Sequence, residues 1–553
     1  MEKIPSFNQY IEDSVIKFWD KDAFTDYKGA TLQYHDVARK IEKLHIMFEN
    51  SGVKRGDKIA LCGRNSSHWA VAFLATLTYG AIAVPVQNEF TPEQIHNIVN
   101  HSESKLLFVG DVVCTQVNPD MMPALEGIVY LPDFSITISR SEQLTFAREH
   151  LNEIFGKRYP KYFRKEHISY YKEESPEELA MINYTSGTTG FSKGVMLPYR
   201  ALWGNIDYVL KCLTPNVKPG SNLVSILPMA HMYGLAVEFL FGFINGCHLY
   251  FLNRMPSPSL IAEAFAEVKP RLIVAVPLVV EKIIRRKVLA EVQTNRMKLL
   301  LNMPVINKKI KQHIRDRIME AFGGNAYEII VGGAPLNQGI EEFLNSVGVP
   351  ITIGYGTTET APLITFANYD NYKIASCGPV VDHMEAKVVS PDPANVPGEL
   401  IAKGMNVMLG YYKNEEATNA VLDKDGWFHT GDLATMAPSG HIYIKGRIKN
   451  MLLGANGQNV YPEEIEDKLN NMPLVGESII IQRDTKLVAL VHPEIEDKEA
   501  MDFDDDDVKG IMDENLKTLN NQLPPFCKIA AIEIQKEEFQ KTAKKSIKRY
   551  LYK

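Results

Sequence analysis

The sequence predicts an α/β protein: a large N-terminal domain of parallel sheets covered by helices, a small β-rich subdomain, then a small α+β C-terminal domain. Three observations point there. Strand and helix signals alternate through the first half and beyond. Near residue 380 they give way to short strands separated by turns. After Gly446-Arg447 about 105 residues remain, a plausible size for an independent unit. The divisions expected are 1–447, with the β-rich part from about 380 to 447, and 448–553. At 553 residues the chain exceeds one ordinary core, and length alone suggests roughly three to four units.

In chain order, residues 58–62 (Lys-Ile-Ala-Leu-Cys) read as a strand. Residues 67–79 follow with helical spacing and Ser67 placed as an N-cap, and 81–86 is the next strand, completing a βαβ unit. The same grammar recurs at 106–109, 179–184, 222–227, 272–276, 328–331 and 350–354. Strands alternating with helices imply parallel sheets buried on both faces. Between 385 and 445 the turn signals are Pro397-Gly398, Lys424-Asp425-Gly426 and Ser439-Gly440. The acidic run of Asp502 and Asp504 to Asp507 reads as a solvated loop or a helix start. The tail from Lys541 carries five lysines and one arginine without an acid.

Apolar residues make up 45% and charged residues 23%, the balance of a soluble globular protein. A formal net charge of -7 argues against a nucleic-acid partner, which would demand a basic face. Six cysteines (Cys62, Cys114, Cys212, Cys247, Cys377, Cys527) form no CxxC pair, which suits a reducing compartment and no zinc site. The N-terminus lacks the apolar core of a signal peptide. The most apolar stretch, 235–252, is interrupted by Glu238, Asn245 and His248, and 272–280 falls short of the roughly 20 residues of a membrane span. A cytosolic location is expected, with peripheral membrane contact left open.

The most informative segment is 184–194, Tyr-Thr-Ser-Gly-Thr-Thr-Gly-Phe-Ser-Lys-Gly. Thr185, Ser186, Thr188 and Thr189 offer short hydroxyl donors. Gly187, Gly190 and Gly194 let the backbone approach a polyanion, and successive N–H groups in such a turn form an anion-binding concavity. Lys193 adds a compact cation. Because 179–184 reads as a buried strand, the loop is expected to leave a sheet edge. It is not the Walker pattern, since Lys193 is followed by Gly194 rather than a hydroxyl.

Two further segments follow strands. At 332–335, Gly332, Gly333, Ala334 and Pro335 would let a flat ring lie against the backbone, although alone this could be any loop. At 354–359 the order is Gly354, Tyr355, Gly356, Thr357, Thr358, Glu359. Tyr355 offers a stacking face, Thr358 a hydroxyl for an α-phosphate, and Glu359 a hard oxygen suited to Mg²⁺. Glu359 and Thr185 are the candidate metal ligands.

These segments, in this order, resemble the signatures of the adenylate-forming superfamily of acyl-CoA synthetases, luciferases and peptide-synthetase adenylation domains. The likeness spans about residues 180–550. It implies that 332–336 lines an adenine pocket and that Thr188 acts in the phosphate loop. Asp432, in Gly-Trp-Phe-His-Thr-Gly-Asp-Leu (426–433), would accept from both ribose hydroxyls, with Arg447 of Tyr-Ile-Lys-Gly-Arg (443–447) reinforcing it. Trp427-Phe428 reads as core packing. His231 would lie at the acyl carboxylate. Lys449 would be the hinge of a mobile C-terminal domain, whose 454–466 segment enters the site for thioester formation. The reaction implied uses ATP, Mg²⁺ and CoA: a carboxylate attacks the α-phosphate to give acyl-adenylate and pyrophosphate, then a thiol displaces AMP.

The acid is read from the segment after His231. Amino-acid-adenylating relatives carry an aspartate where this chain has Tyr233, and between 232 and 243 Glu238 is the only charge. An aliphatic acid is therefore favoured, and the pattern looks most like a bacterial long-chain acyl-CoA synthetase. An adenylating enzyme serving an acyl carrier protein is the alternative, and a non-catalytic nucleotide- or acyl-binding protein the weaker one. Two departures stand out. Ser192 replaces the family's usual proline. In the tail, aligning Ile547 and Arg549 puts Ser546 where relatives have the lysine that grips the α-phosphate; Lys545, one residue earlier, is the expected substitute, ahead of Lys544.

Overall fold

Two large sheets organise the N-terminal part of the computed structural model, which describes residues 4–185, 193–284, 304–453, 459–483, 486–494, 504–541 and 547–552. In the first sheet Leu179–Thr185, Ile82–Val86, Lys58–Cys62, Ser104–Val109 and Gly127–Tyr130 run parallel in that spatial order. In the second, Ile351–Ile353, Glu328–Val331, Leu272–Ala275, Asn222–Ser225, His248–Phe251 and Asp22–Asp26 are parallel neighbours. Both sheets are mixed rather than purely parallel. Their edges are finished by antiparallel strands such as Thr31–Gln33, Ser135–Ser139 and Gly410–Tyr411, and short hairpins can make antiparallel pairs without a crossover helix.

The strand in front of the phosphate loop is interior, not at an edge. Leu179–Thr185 pairs with Ile82–Val86 on one side and antiparallel with Lys193–Pro198 on the other, so the loop joins the two arms of a hairpin.

The helix Ser67–Tyr79 is apolar nearly all round, and it packs on strands of both sheets. Its cap is Ser66, whose Oγ accepts from the Trp69 amide at 3.2 Å. Ser67 is already engaged: its hydroxyl and amide both donate to Asp26, at 2.7 and 2.9 Å. Gly80 ends the helix at φ 84°, and a Cβ there would come within 2.6 Å of the Tyr171 ring.

The β-rich region is a four-stranded antiparallel sheet of Met384–Val389, Gly398–Gly404, Phe428–Met436 and Ile442–Arg447, with a small core of Val388, Leu400, Ala434 and Ile442. Phe428 is buried, but Trp427 is only half-buried and lies beneath the Lys387 ammonium at 4.1 Å, so it packs on the surface rather than in the core.

The C-terminal part folds around its own sheet, Val475–Arg483, Lys486–Pro493 and Ile529–Ile534, with the helices Pro462–Asn470 and Asp505–Gln522 packed on one face. The acidic run is a helix start: Asp504 caps, and Asp505, Asp506 and Asp507 fill the first turn, where the helix dipole favours negative charge. Asp502 lies outside the described residues. Gln338 donates its amide to Asp467 at 3.2 Å and Lys445 pairs with Glu464 at 3.3 Å, tying this part to the rest. Among the described residues no helix is long and apolar enough to cross a membrane.

Candidate active site

A cleft of about 2940 Å³ opens where the parallel strands end. In open α/β sheets the carboxyl ends of strands leave such crevices, because the following loops diverge to opposite faces. Thr185, Lys193, His231, Gly332 to Pro335, Gly354 to Glu359, Asp432, Arg447 and Lys449 all line it. Ser186, Gly187, Thr188, Thr189, Gly190 and Ser192 lie outside the described residues, as do Lys544, Lys545, Ser546 and 454–458. The flanks of two of those segments, Thr185 and Lys193, and Lys541 and Ile547, nevertheless line the cleft.

Asp432 is the best-anchored of these side chains. It sits opposite Arg447 in the register of two antiparallel strands, with Arg447 Nε 2.9 Å from Oδ1. Tyr355 donates its phenol to Oδ2 at 2.6 Å. A carboxylate has about four acceptor sites, so roughly two remain for a vicinal diol. Asp432 is only 4% exposed, and burial raises its pKa despite the guanidinium beside it. Tyr355 therefore spends its hydroxyl on Asp432 while its ring still lines the cleft.

Thr358 and Glu359 begin a short 3₁₀ turn. Gly356 before it can only be glycine, since a Cβ would sit 1.8 Å from the Pro362 carbonyl oxygen. Glu359 Oε1 accepts from the Tyr411 phenol at 2.9 Å, and the Lys193 ammonium lies 4.7 Å from the centre of the same ring. Tyr411 thus spaces an acid and a base that both face the cleft. Lys449 lies in the 3₁₀ turn Ile448–Asn450, where burial and then repulsion by Arg447 lower its pKa; Lys193 adds to that repulsion.

Behind His231 the cleft turns apolar. Val209 and Leu213 from the helix Tyr199–Leu213, Val237, Ile330 and Phe366 form its walls. Tyr233 donates its hydroxyl to the Ile330 carbonyl at 3.1 Å and brings no carboxylate to pair with a substrate amine. Glu238 faces away: it accepts from Ser225 Oγ at 3.0 Å and from the Ile226 and Leu227 amides, and burial pushes its carboxyl well above the usual range. Glu238 sits on a π-helix, Gly234–Leu240, and Tyr233 is the residue that caps its start.

Profile comparison matches residues 11–412 to the family of AMP-binding enzymes and residues 449–552 to the AMP-binding enzyme C-terminal domain. The chain belongs to the AMP-binding enzyme family. It is of the adenylate-forming acyl-CoA synthetase type. It is similar to a long-chain-fatty-acid–CoA ligase of Escherichia coli O6:H1, with 30% identity over 505 residues, 86% of this chain and 82% of the relative. It is also similar to the human long-chain-fatty-acid–CoA ligase ACSBG2, at 24% identity over 87% of this chain and 75% of that one. Among solved structures, ATP-bound MatB from Rhodopseudomonas palustris superposes with a TM-score of 0.75 at 23% identity, covering 99% of this chain and 98% of its own. o-Succinylbenzoate CoA synthetase (MenE) from Bacillus subtilis gives 0.75 at 18% identity, over 99% and 98%. These likenesses show the fold.

Sequence reasoning missed several residues of this AMP-binding enzyme. Tyr411 sits far along the chain from Glu359 and is brought to it by sheet pairing with Lys193–Pro198 and by the Met408 amide donating to the Glu359 carbonyl at 2.8 Å. Glu399 holds the turn before Asp432, accepting from the Gly431 amide at 3.2 Å and lying 2.9 Å from His429 Nδ1. Val209, Leu213 and Phe366 belong to elements with no motif at all; helical amphipathicity cannot separate a core wall from a ligand wall.

Proposed function

We propose that this AMP-binding enzyme activates a long-chain fatty acid with ATP and transfers the acyl group to CoA. The observation that carries this reading is the continuity of the cleft: His231 and the apolar Val209, Leu213, Val237, Ile330 and Phe366 line the same cavity as the Asp432–Arg447–Tyr355 cluster. The ribose of ATP would be held at Asp432, the adenine along Gly332 to Pro335, and the phosphates between Thr358, Lys193 and the 186–192 loop. A fatty carboxylate beside His231 would share the cavity with the α-phosphate it attacks, and adenylation converts a poor acyl donor into a mixed anhydride. The protein contributes positioning and charge neutralisation. The names of the relatives, all long-chain-fatty-acid–CoA ligases, support the choice of acid and of CoA over a carrier protein.

Glu359 and Thr185 fit Mg²⁺: both supply hard oxygens to the cleft, and no group of three or more metal-ligating side chains exists among the described residues. That sparse donor set suits an ion held mostly by substrate phosphates and water. When bound, Mg²⁺ would neutralise charge on the departing pyrophosphate. Lys449 serves as the hinge of a C-terminal domain running from 448, and the enzyme works in the cytosol.

A screen of free fatty acids with ATP, Mg²⁺ and CoA tests the reading. AMP release should require both fatty acid and CoA. Turnover with acetate or an amino acid in preference to long-chain acids would overturn it.

A further inference from the structure

The proposed reaction joins groups that belong to different sheets. The phosphates go to the loop that follows Leu179–Thr185 in the first sheet. His231 ends the segment 226–231, which follows Asn222–Ser225 in the second. A carboxylate at His231 has to meet the α-phosphate at reacting distance, and a misplacement of about 1 Å can cost two orders of magnitude in rate. The relation between the two sheets at this point therefore matters to the chemistry.

Two asparagines of the first sheet hold the His231 segment. Asn183, two residues before Thr185, is 2% exposed and donates its side-chain amide to the Ala230 carbonyl at 2.9 Å, beside His231. It interrupts an otherwise apolar run, Ala-Met-Ile-Asn-Tyr, where burying an amide is costly unless it is hydrogen-bonded. Asn65, between Lys58–Cys62 and the helix Ser67–Tyr79, grips the same segment twice. Its Nδ2 donates to the Leu227 carbonyl at 2.6 Å, and its Oδ1 accepts from the Met229 amide at 2.9 Å.

The second sheet holds the segment from its own side. Glu238 accepts from the Ile226 and Leu227 amides, and the His231 amide donates to the Pro228 carbonyl at 3.0 Å. The ring is set as well. The Tyr233 amide donates to His231 Nδ1 at 3.3 Å, and an amide can only donate, so the neutral imidazole carries its proton on Nε2. A ring in that tautomer is a donor, the complement of a carboxylate oxygen. We propose that Asn183 and Asn65 are positioning residues, which register the His231 segment against the strand leading into the phosphate loop. Neither asparagine lines the cleft, so both act through the segment rather than on a substrate. The assignment rests on His231 receiving the acyl carboxylate, as proposed above.

The test uses the full chain and two readouts. One is pyrophosphate exchange dependent on a long-chain acid. The other is equilibrium binding of that acid compared with the alcohol of the same length. Asn183→Leu keeps the size of the side chain and leaves the Ala230 carbonyl without its donor. It should slow exchange about thirtyfold with KM for ATP unchanged, and lower the acid-to-alcohol affinity ratio about tenfold. Asn65→Ala, on a different element, should give the same pattern at about tenfold in exchange, and it carries the prediction should the buried variant fail to fold. Because both side chains hold one segment, the double variant should lose less than the product of the two. A lowered melting temperature with the parent's affinity ratio and exchange rate would make the asparagines merely structural and overturn the proposal. His231→Ala separates this inference from the reading beneath it. If that variant keeps the parent's ratio, the role of His231 falls and the inference with it. If it loses the ratio while both asparagine variants keep it, the inference alone is overturned.

Discussion

The phenol of Tyr355 donates a 2.6 Å hydrogen bond to Oδ2 of Asp432, joining the short hairpin strand just past the second sheet to the β-rich sheet. With Arg447 on Oδ1, the carboxylate is fixed from both sides before any nucleotide arrives. Tyr355→Phe keeps the ring and removes that bond. A hydrogen bond to a charged group contributes about 1.5–3 kcal/mol, so KM for ATP should rise roughly ten- to hundredfold with a smaller change in kcat. An unchanged KM would mean that Arg447 alone positions the carboxylate.

Burial raises the Asp432 pKa above the ordinary aspartate value, and Arg447 only partly opposes it. Because the folded state then holds the proton more tightly than the unfolded chain, this group's stabilisation is present at low pH. It is lost as pH rises through the folded pKa, so at neutral pH ionised Asp432 costs stability. Binding runs the other way, since the ribose needs the carboxylate. On acidification, KM for ATP should climb above the pH of about 4 at which an unperturbed aspartate titrates. Asp432→Asn should melt no lower than the parent at neutral pH while binding ATP far more weakly. A lower melting temperature would reverse the assigned sign.

Glu359 is held by Tyr411, and no ion pair to it is found among the described residues. Glu359→Gln keeps the shape and the Tyr411 contact but removes the charge, so adenylation should fall by about two to three orders of magnitude with the fold intact. Pyrophosphate exchange measures that step alone, and Mg²⁺-dependent exchange at the parent rate would remove Glu359 from the metal site.

Legibility followed locality. Buried parallel strands declare themselves as short apolar runs, so Lys58–Cys62 and Glu328–Val331 were readable to the residue. The cap of Ser67–Tyr79 was not, because Ser66 and Ser67 are equally able and the choice was made by Asp26, on another strand. The interior place of Leu179–Thr185 likewise depended on which strands flank it. In the site, Asp432, Arg447 and Glu359 lay in motifs, whereas Tyr411, Glu399 and the apolar walls are recruited across the fold and leave no spacing in the sequence.

On the proposed reading, the apolar wall of the cleft would set chain length. Val237 lines it from the π-helix, with the core packed behind. Each buried methylene contributes about 0.8 kcal/mol, so kcat/KM should rise roughly fourfold per carbon before levelling off. Val237→Phe fills part of the chamber and should move the plateau to shorter acids while sparing short-chain turnover. If long and short acids lose equally, the wall lies elsewhere.

The last prediction concerns the tail, where Ser546 stands in the expected place of a lysine. The two ends of that segment are fastened. Lys541 pairs with Glu477 at 2.5 Å and bridges to Ile547 across the loop, Ile547 packs on the core of Ile479 and Leu490, and Arg549 is ion-paired with buried Glu466. Lys541 is therefore occupied. Between the bridged ends lie only residues 542–546, and both ends line the cleft. Lys545 needs the smaller displacement from position 546. Lys545→Ala should slow acyl-adenylate formation by about two orders of magnitude or more, the worth of one well-placed electrostatic donor. Thioester formation from preformed acyl-adenylate should barely change, because the α-phosphate has already been transferred. Loss of adenylation in Lys544→Ala but not Lys545→Ala would shift the register by one. If neither matters and Lys548→Ala is impaired instead, the cation comes from the far side of the bridge, where Lys548 also lines the cleft.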